Sequence, residues 1–328
     1  MKKVISIVLV LAMVVAFAAC GNSGSTSGGS TAPAVKKDLV FGTGGEAGTY
    51  YAYGTVLAQY VTNNTDLSVT AISSGGSKAN IEDIDAGDVQ LGFTQSDVMS
   101  YAYNGTSLFT DKVGSFSAVC ALYMEDVQIV TCDPSIKTVA DLKGKTVSVG
   151  AQGSGTYFNA VDVLGVYGLD VEKDITPVYQ SFGDSTESLK DNKIDAAFVV
   201  AGAPTPSITE LCTTKQAYIV SLDQEHIDKL IEMSPYYAQD TIAASLYGTD
   251  ADAQTVAVAA MVIVSDEIDE TVVYDFISTI FENKTAIAEA HAKGNALDLE
   301  FASSVTAVPF HAGAAKYFAE KGITVDVK

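Results

Sequence analysis

VFGTGGEAGTYYAY, residues 40–53, is the stretch that decides the fold of this chain. Val40 and Phe41 end a short apolar run, and the glycines after them allow a tight turn and a close approach of the backbone to a ligand. From Thr49 onward the apolar residues recur at helical spacing. A strand, a glycine-rich loop and a helix N-terminus together predict an anion-binding site, because the first N–H groups of a helix have no partner within it.

A second copy of this pattern, VSVGAQGSGTYF, occupies residues 147–158. Both copies run from a strand through a glycine-containing loop into Gly-Thr-Tyr and one further aromatic residue. Two such strand–loop–helix sites in a single chain predict a ligand that binds between two similar lobes.

The segment after the first copy alternates between strand and helix patterns. Strands are predicted at 38–41, 67–72 and 90–93, with helices at 49–62 and 78–86 between them. Such β-α repeats predict a mostly parallel sheet with helices on both faces, and ligands of these sheets bind beyond the carboxyl ends of the strands. Small polar residues collect at those ends, in Thr43–Gly45, Ser73–Ser77 and Gln95–Asp97.

The second half repeats the plan, and two apolar runs connect the halves. Residues 116–131, interrupted only by Glu125-Asp126, predict a crossing to the second lobe, and residues 256–264 predict the return. We therefore expect an α/β fold of two lobes, each a mostly parallel sheet flanked by helices. The predicted division is a signal peptide at 1–19, a tether at 20–37, a first lobe at 38–126 and 257–328, and a second lobe at 127–256.

The N-terminus is typical of an export signal. Lys2 and Lys3 precede an apolar run over residues 4–17 and the small residues Ala18-Ala19-Cys20. The stretch FAACG resembles a bacterial lipobox, which predicts a lipid on Cys20; the alternative is simple cleavage that leaves an ordinary thiol. The Gly- and Ser-rich residues 21–30 predict a flexible tether. The expected location is extracytoplasmic, on a lipid anchor at the outer face of the cell membrane or in the periplasm.

The negative net charge of the chain argues against nucleic acid as a partner. The formal net charge is −21, and all 19 basic residues are Lys. Nucleic-acid binding depends on basic patches, so we expect none. Without Arg, no guanidinium fork can bind a carboxylate, and an anionic ligand must be recognised by backbone N–H groups, hydroxyls, amides or Lys.

Enzyme and cofactor motifs are incomplete. Gly42, Gly44 and Ala47 nearly match a dinucleotide fingerprint, but Asp66, the candidate acid, precedes the second strand instead of ending it. Gly144-Lys145-Thr146 resembles a P-loop ending without the loop's first glycine. The three histidines are scattered, and no nucleophile–base pair is visible. We therefore expect no enzyme activity, no cofactor and no metal.

The cysteines after Cys20 give no metal or redox spacing. They are Cys120, Cys132 and Cys212, expected as free thiols, with a Cys120–Cys132 bridge as the alternative.

Six motifs in register resemble the TAXI family, the extracytoplasmic receptors of tripartite ATP-independent periplasmic (TRAP) transporters. They cover nearly all of residues 38–322 and read GTGGEAGTYY, SSGGSKANI, GFTQSDV, DLKGKTVSVGAQGSGTY, IDAAFVVAGAP and VPFHAGAAKYFAEKG. The resemblance implies a two-lobed periplasmic binding protein of type II that closes on a solute and delivers it to an ion-gradient-driven permease. It further implies a ligand similar to glutamate, glutamine or 2-oxoglutarate.

Carried over position by position, the resemblance implies a cleft formed by residues from both lobes. The first lobe would contribute Gly44, Gly45, Thr49, Tyr50, Ser74, Gly75, Ser77, Gln95 and Asp97. The second lobe would contribute Gln152, Ser154, Gly155, Thr156, Gly202 and Pro204. Glu46 and Asp97 would suit an ammonium group if they reach the ligand.

The leading hypothesis is thus a monomeric, lipid-anchored receptor for a small organic acid or amino acid, with the permease subunits as its partners. The alternative is a ligand-sensing lipoprotein of the same fold that signals to a membrane protein.

Overall fold

One mixed sheet of ten strands organises the described part of the chain, residues 37–328 of a computed structural model. The predicted signal peptide, Cys20 and nearly all of the tether lie outside the described residues. The strands are β1 Asp38–Gly42, β2 Ser68–Ile72, β3 Leu91–Gln95, β4 Phe116–Thr131, β5 Thr146–Ser148, β6 Thr176–Val178, β7 Ala196–Ala201, β8 Tyr218–Ile219, β9 Ala238–Ile242 and β10 Ala253–Ser265.

Helices cover the sheet between successive strands. They are α1 Thr49–Asn64, α2 Ser77–Asp85, α3 Ser96–Asn104, α4 Gly155–Val166, α5 Phe182–Lys190, α6 Pro206–Thr214, α7 Gln224–Met233, α8 Glu270–Glu282, α9 Lys284–Ala290, α10 Leu299–Ser304 and α11 Ala312–Glu320. Short 3₁₀ helices occupy Val139–Leu142, Ala244–Leu246 and Ala292–Ala296.

The strand order is β2-β1-β3-β10-β4-β7-β5-β6, with β8 beside β4 and β9 beside β10. Strand β1 runs parallel to β2 and β3, and β5 runs parallel to β6 and β7. The long strands β4 and β10 are antiparallel to each other and to their neighbours β7 and β3. The predicted α/β fold class is confirmed, with two parallel groups joined through an antiparallel centre.

The two long strands pass from one hydrophobic core to another. The residues of β4 from Phe116 to Tyr123 belong to the core that β1–β3, α1 and α8 build, whereas Val127 to Val130 belong to the cores beneath β5–β7. Strand β10 makes the same passage between Val258 and Ala259. A near-continuous apolar sequence suits both strands because both of their faces are covered. The two-lobe boundaries remain a prediction. The passage of β4 and β10 from one core to another supports them.

The helical segment after β10 is interrupted near its middle. Helix α8 ends at Glu282 and α9 begins at Lys284, because Asn283 leaves helical geometry at φ −122° and ψ 28°. The Asn283 side chain donates a hydrogen bond of 2.8 Å to the carbonyl oxygen of Thr279, which competes with continuation of the helix.

The alternative of a Cys120–Cys132 bridge is wrong. Cys120 lies inside β4 and Cys132 directly follows that strand, so about 40 Å of extended chain separates them at ~3.3 Å per residue. A disulfide requires Cα atoms within roughly 7 Å. Both residues and Cys212 are free thiols.

Between residues 37 and 328, no helix combines the length and the hydrophobicity that crossing a membrane requires.

Candidate functional site

A cavity lies at the carboxyl ends of six strands, from β1–β3 on one side and β5–β7 on the other. It has about 560 Å³ of atom-free space, part of it open to solvent. Most of the residues proposed from the sequence line it: Gly44, Gly45, Thr49, Tyr50, Ser74, Gly75, Ser77, Gln95, Ser154, Gly155 and Thr156. Both Gly-Thr-Tyr motifs thus border one cavity, with Thr49 on one side and Thr156 on the other.

Four of the proposed residues lie outside the cavity lining. Asp97 is buried behind the cavity wall, and Gly202 is buried with its carbonyl oxygen bound to Thr49. Gln152 and Pro204 are exposed and do not line the cavity. As ligand contacts, these four positions are not supported by the geometry.

Several lining residues have no counterpart among the predicted ones. They are Gly48, Gly76, Glu125, Ala151, Ser181, Phe182, Val200 and Ala201. One of them had a visible signal in the sequence, because Glu125 is part of the acidic pair that interrupts the apolar run of β4. Phe182 had no such signal in the sequence, because only the tertiary structure brings this residue to the cavity.

Three uncapped helix N-termini meet at the cavity. Helices α1, α2 and α4 begin after Gly48, Gly76 and Ser154, and none of these cap residues accepts a side-chain hydrogen bond from its helix. The backbone at Gly76 has φ +100°, a conformation that glycine adopts without strain. The first N–H groups of α1 and α4 bond no group among the described residues, whereas Lys78 and Ala79 of α2 donate theirs to the Gly153 carbonyl oxygen. The N-termini of α1 and α4 therefore give this end of the cavity a positive potential without any basic side chain.

The Ser154 hydroxyl adds a further polar group at the same place. Ser154 lines the cavity and is 8% exposed, and its Oγ has no hydrogen-bond partner among the described residues. A buried hydroxyl without a partner costs free energy, so a ligand atom that bonds it would recover that cost.

Glu125 supplies the one carboxyl group among the described residues that line the cavity. Its Oε2 accepts a hydrogen bond of 2.6 Å from the Tyr50 hydroxyl, and the Tyr50 ring stacks on Phe93 with centroids 4.5 Å apart. Burial, more than any neighbouring group, raises the pKa of Glu125 well above its ordinary value. Burial followed by the charge of Glu125 likewise raises the pKa of Tyr50, which keeps its hydroxyl protonated as a donor.

The two sides of the cavity are joined by direct backbone contacts. Thr49 Oγ1 donates to the carbonyl oxygen of Gly202 at 2.9 Å. The amides of Lys78 and Ala79, in the first turn of α2, donate to the carbonyl oxygen of Gly153 at 3.0 and 3.1 Å. These contacts hold the two halves in a closed arrangement around the cavity.

A buried polar cluster lies behind the cavity wall and also crosses between the halves. The Asn159 amide on α4 donates to Asp97 Oδ2 at 2.9 Å and to the Tyr237 hydroxyl at 2.8 Å, and it accepts from Gln95 Nε2. Asp97 Oδ1 also accepts from the backbone N–H of Val98 at 2.8 Å. Burial is the main cause that raises the pKa of Asp97 to about 7.

Phe182 stands between the cavity and a second depression that opens outward. Four residues border both spaces: Gly45, Ser74, Ser181 and Phe182. The outer depression also contains Glu46, which is exposed there and does not line the inner cavity. The carboxyl at the cavity is thus Glu125, in place of the expected Glu46 or Asp97.

Within residues 37–328, no cluster of His, Cys, Asp or Glu side chains is arranged to hold a metal ion.

Several solved structures have a similar fold. A structure described as a periplasmic transporter has a TM-score of 0.55 at 14% identity, covering 78% of this chain and 87% of the other. An ancestral arginine-binding protein bound to glutamine has a TM-score of 0.51 at 13% identity, covering 80% and 100%. A protein of Bordetella bronchiseptica RB50 has a TM-score of 0.50 at 13% identity, covering 89% and 83%. At these identities the likeness establishes the shared fold alone.

A family model described as the NMT1-like family matches residues 41–322, a range that includes every element from the first glycine loop to the last helix. The chain belongs to the NMT1-like family and has the fold of periplasmic solute-binding proteins.

Proposed function

We propose that this protein is an extracytoplasmic receptor that captures a small organic acid or amino acid between two lobes. The observation that carries the proposal is the convergence on one cavity of the free N-termini of α1 and α4 and of the Ser154 hydroxyl, which has no partner among the described residues. This arrangement suits a carboxylate, which N–H groups and hydroxyls bind in place of the absent Arg. No catalytic role is proposed for any residue.

Capture follows from hinge closure. In the proposal the first lobe comprises residues 38–126 and 257–328, the second comprises residues 127–256, and both turn about β4 and β10. Each neutral hydrogen bond to a ligand contributes only about 0.5–1.5 kcal/mol, whereas micromolar affinity needs about 8 kcal/mol. Donors from both lobes must therefore act together, and the ligand stabilises the closed state because that state alone supplies them all.

The proposed partner is the permease of a TRAP transporter, as the resemblance to TAXI receptors implies, with a lipid on Cys20 as the anchor. A signalling partner for the same fold is the alternative. Uptake of the ligand by proteoliposomes that contain a TRAP permease, dependent on this receptor and on an ion gradient, would separate the two. Release from membranes of a Cys20→Ala variant would support the anchor, and sedimentation of that variant with membranes would reject it.

Calorimetric titration tests the receptor itself. We expect saturable heat with at least one member of a panel of glutamate, glutamine, 2-oxoglutarate and C4 dicarboxylates, and about fivefold to tenfold weaker binding by Ser154→Ala, since one hydrogen bond is lost. Ser278→Ala is the matched control, because Ser278 bonds the Asp275 carbonyl oxygen on α8, far from the cavity lining. The absence of heat and of any thermal shift across a wide acid and amino-acid panel would reject the proposed function.

A further inference from the structure

Glu125 occupies the point at which β4 passes between the two hydrophobic cores. It pairs with Val258 of β10, where that strand makes the same passage. Its side chain is 1% exposed and lines the cavity, although most of the strand apart from the neighbouring Asp126 is apolar. A buried carboxyl is costly unless it is paired, so its presence at this point calls for a partner.

Only half of the carboxyl group is satisfied by the protein. Tyr50 donates to Oε2, while no donor among the described residues bonds Oε1. The nearest cation, Lys293, is engaged elsewhere, because its Nζ donates to the carbonyl oxygen of Ala203 at 2.8 Å and lies 5.2 Å from the centre of the Tyr123 ring. No Lys or His lines the cavity among the residues described.

We propose that Oε1 of Glu125 accepts a hydrogen bond from the ammonium group of the ligand, so that the receptor selects amino acids over organic acids that lack an amine. The inference rests on the proposed function. The cavity then has complementary ends: helix N-termini and the Ser154 hydroxyl for the ligand carboxylate, and Glu125 for its ammonium group. An organic acid without an amine gains no such ion pair at Glu125.

The surroundings of Glu125 determine its protonation. The ionisable groups that act on it from neighbouring elements are Tyr50 on α1, Asp97 on α3, Asp126 and Tyr123 on β4, and Lys293 in the last 3₁₀ segment. Burial and the two aspartates raise the pKa of Glu125, whereas the Tyr50 hydrogen bond and Lys293 lower it, and the net shift is upward. Without an ammonium group in the closed cavity, burial therefore shifts Glu125 toward the neutral acid.

A ligand ammonium reverses that preference, because an opposite charge within hydrogen-bond distance favours the carboxylate. Binding then transfers the proton of the Glu125 carboxyl to solvent and leaves a carboxylate–ammonium pair. An organic acid without an amine releases no such proton. The difference in proton release between an amino acid and its matched acid thus reports on this contact, because any proton that Asp97 exchanges on closure is common to both ligands.

The test is titration calorimetry of the full chain at pH 7 in two buffers with different ionisation enthalpies, phosphate and Tris. The probes are matched pairs: L-glutamate with 2-oxoglutarate, L-glutamine with its 2-oxo acid, and L-leucine with 4-methyl-2-oxopentanoate. We expect at least one amino acid to bind tenfold or more tightly than its partner acid, with a heat that differs between buffers by the amount that proton release requires.

The Glu125→Gln variant supplies the second measurement. The side-chain amide of the variant can still accept a hydrogen bond from Tyr50, but it presents an NH₂ group to the ligand ammonium. We therefore expect the affinity for the amino acid to fall at least tenfold and the affinity for the partner acid to change less than threefold. The binding heat should not depend on the buffer. Glu46→Gln, at the exposed outer depression, is the matched control and should bind as the wild type does. If the variant fails to fold, the wild-type binding heats in the two buffers, compared between each amino acid and its partner acid, still test the inference.

Two results would overturn the inference while leaving the receptor function standing. One is a wild-type protein that binds 2-oxo acids or dicarboxylates as tightly as the matched amino acids. The other is a Glu125→Gln variant that weakens both classes equally. Binding of neither class would reject the proposed function together with the inference.

Discussion

Thr49 Oγ1 donates a hydrogen bond of 2.9 Å to the carbonyl oxygen of Gly202, although 153 residues separate the two in the chain. Thr49 begins α1 at one side of the cavity, and Gly202 follows β7 at the other. The bond is buried, so neither group is satisfied by water when the halves are closed. In the proposed hinge closure, it therefore stabilises the closed state and not either half alone.

Replacing Thr49 with Val removes this bond and keeps the side-chain shape. We expect the closed state to lose about 1 kcal/mol and the affinity for the ligand to fall about fivefold to tenfold, measured by calorimetry with whichever compound binds the wild type. Thr55→Val is the matched control on the same helix, because the Thr55 hydroxyl bonds only the Tyr51 carbonyl oxygen of its own helix at 2.8 Å. Equal affinities of Thr49→Val and the wild type would contradict a role in closure.

Gly155 is the point of closest approach between the two halves. A Cβ atom there would lie 1.4 Å from Gln95 Oε1, 2.4 Å from Gln95 Cδ and 2.7 Å from Ser77 Oγ. Gln95 is 2% exposed and held by Ser77 and Asn159, so it cannot simply swing away. We expect Gly155→Ala to keep the fold but to prevent closure, with a larger radius of gyration in X-ray scattering and ligand binding weakened at least a hundredfold.

Gly165→Ala controls for the effect of alanine on helix α4, since a Cβ at Gly165 meets no atom within 4 Å. It should close and bind as the wild type does. The double variant Gly155→Ala with Gln95→Ala should recover part of the closure, because the obstructing amide is gone. A Gly155→Ala protein with unchanged scattering and affinity would show that the closed contact is dispensable.

Local signals predicted the elements that form this contact. The glycine loops and the apolar residues at helical spacing after Thr49 and Thr156 describe strand–loop–helix units whose geometry depends on neighbours in the chain. Both units appear in the fold, with α1 and α4 beginning at the expected motifs. Helices α6 and α7 have no counterpart among the predicted elements. Their stability comes from packing on core strands, which a single stretch of sequence does not reveal.

The role of Glu125 could not be predicted from the local sequence alone. An acidic pair in an apolar run is visible in the sequence, but the hydrogen bond from Tyr50 joins residues 75 positions apart. Asp97 gives the converse case. It follows a strand end, as a ligand contact would, yet Asn159 from the other half covers it and it faces away from the cavity. Which polar residue reaches a ligand is decided by tertiary contacts that spacing does not encode.

The thiols provide a test of the core. Cys120 is fully buried in β4, and burial raises the pKa of its thiol, whereas Cys132 and Cys212 are partly exposed. We expect an aromatic disulfide reagent to modify Cys132 and Cys212 in the native protein but to modify Cys120 only after unfolding, because thiolate and access are both required. Peptide mapping without reductant should find no Cys120–Cys132 link. Rapid modification of Cys120 in the native protein would contradict its burial.

Asp97 should make the stability of the closed protein depend on pH. Its pKa is about 7 in the folded protein against an ordinary value of 3.8, mainly through burial. Between these values the folded state binds a proton that the unfolded chain does not, so the free energy of unfolding falls as the pH rises from about 4 to about 7. At ~1.36 kcal/mol per pKa unit, the loss from this group is at most about 4 kcal/mol.

The Asp97→Asn variant isolates this contribution. Its amide cannot accept from both Val98 and Asn159, so we expect it to be about 1–2 kcal/mol less stable than the wild type at pH 5. At pH 8 ionisation of the buried Asp97 destabilises the wild type, whereas the side-chain amide of the variant cannot ionise. The difference in free energy of unfolding between the two proteins should therefore shrink or reverse. Urea unfolding at pH 5 and pH 8 measures both, with Asp250→Asn at an exposed position as the control. A difference between wild type and Asp97→Asn that is the same at both pH values would show that Asp97 titrates alike in the folded and unfolded chains, and would remove it as the source of pH dependence.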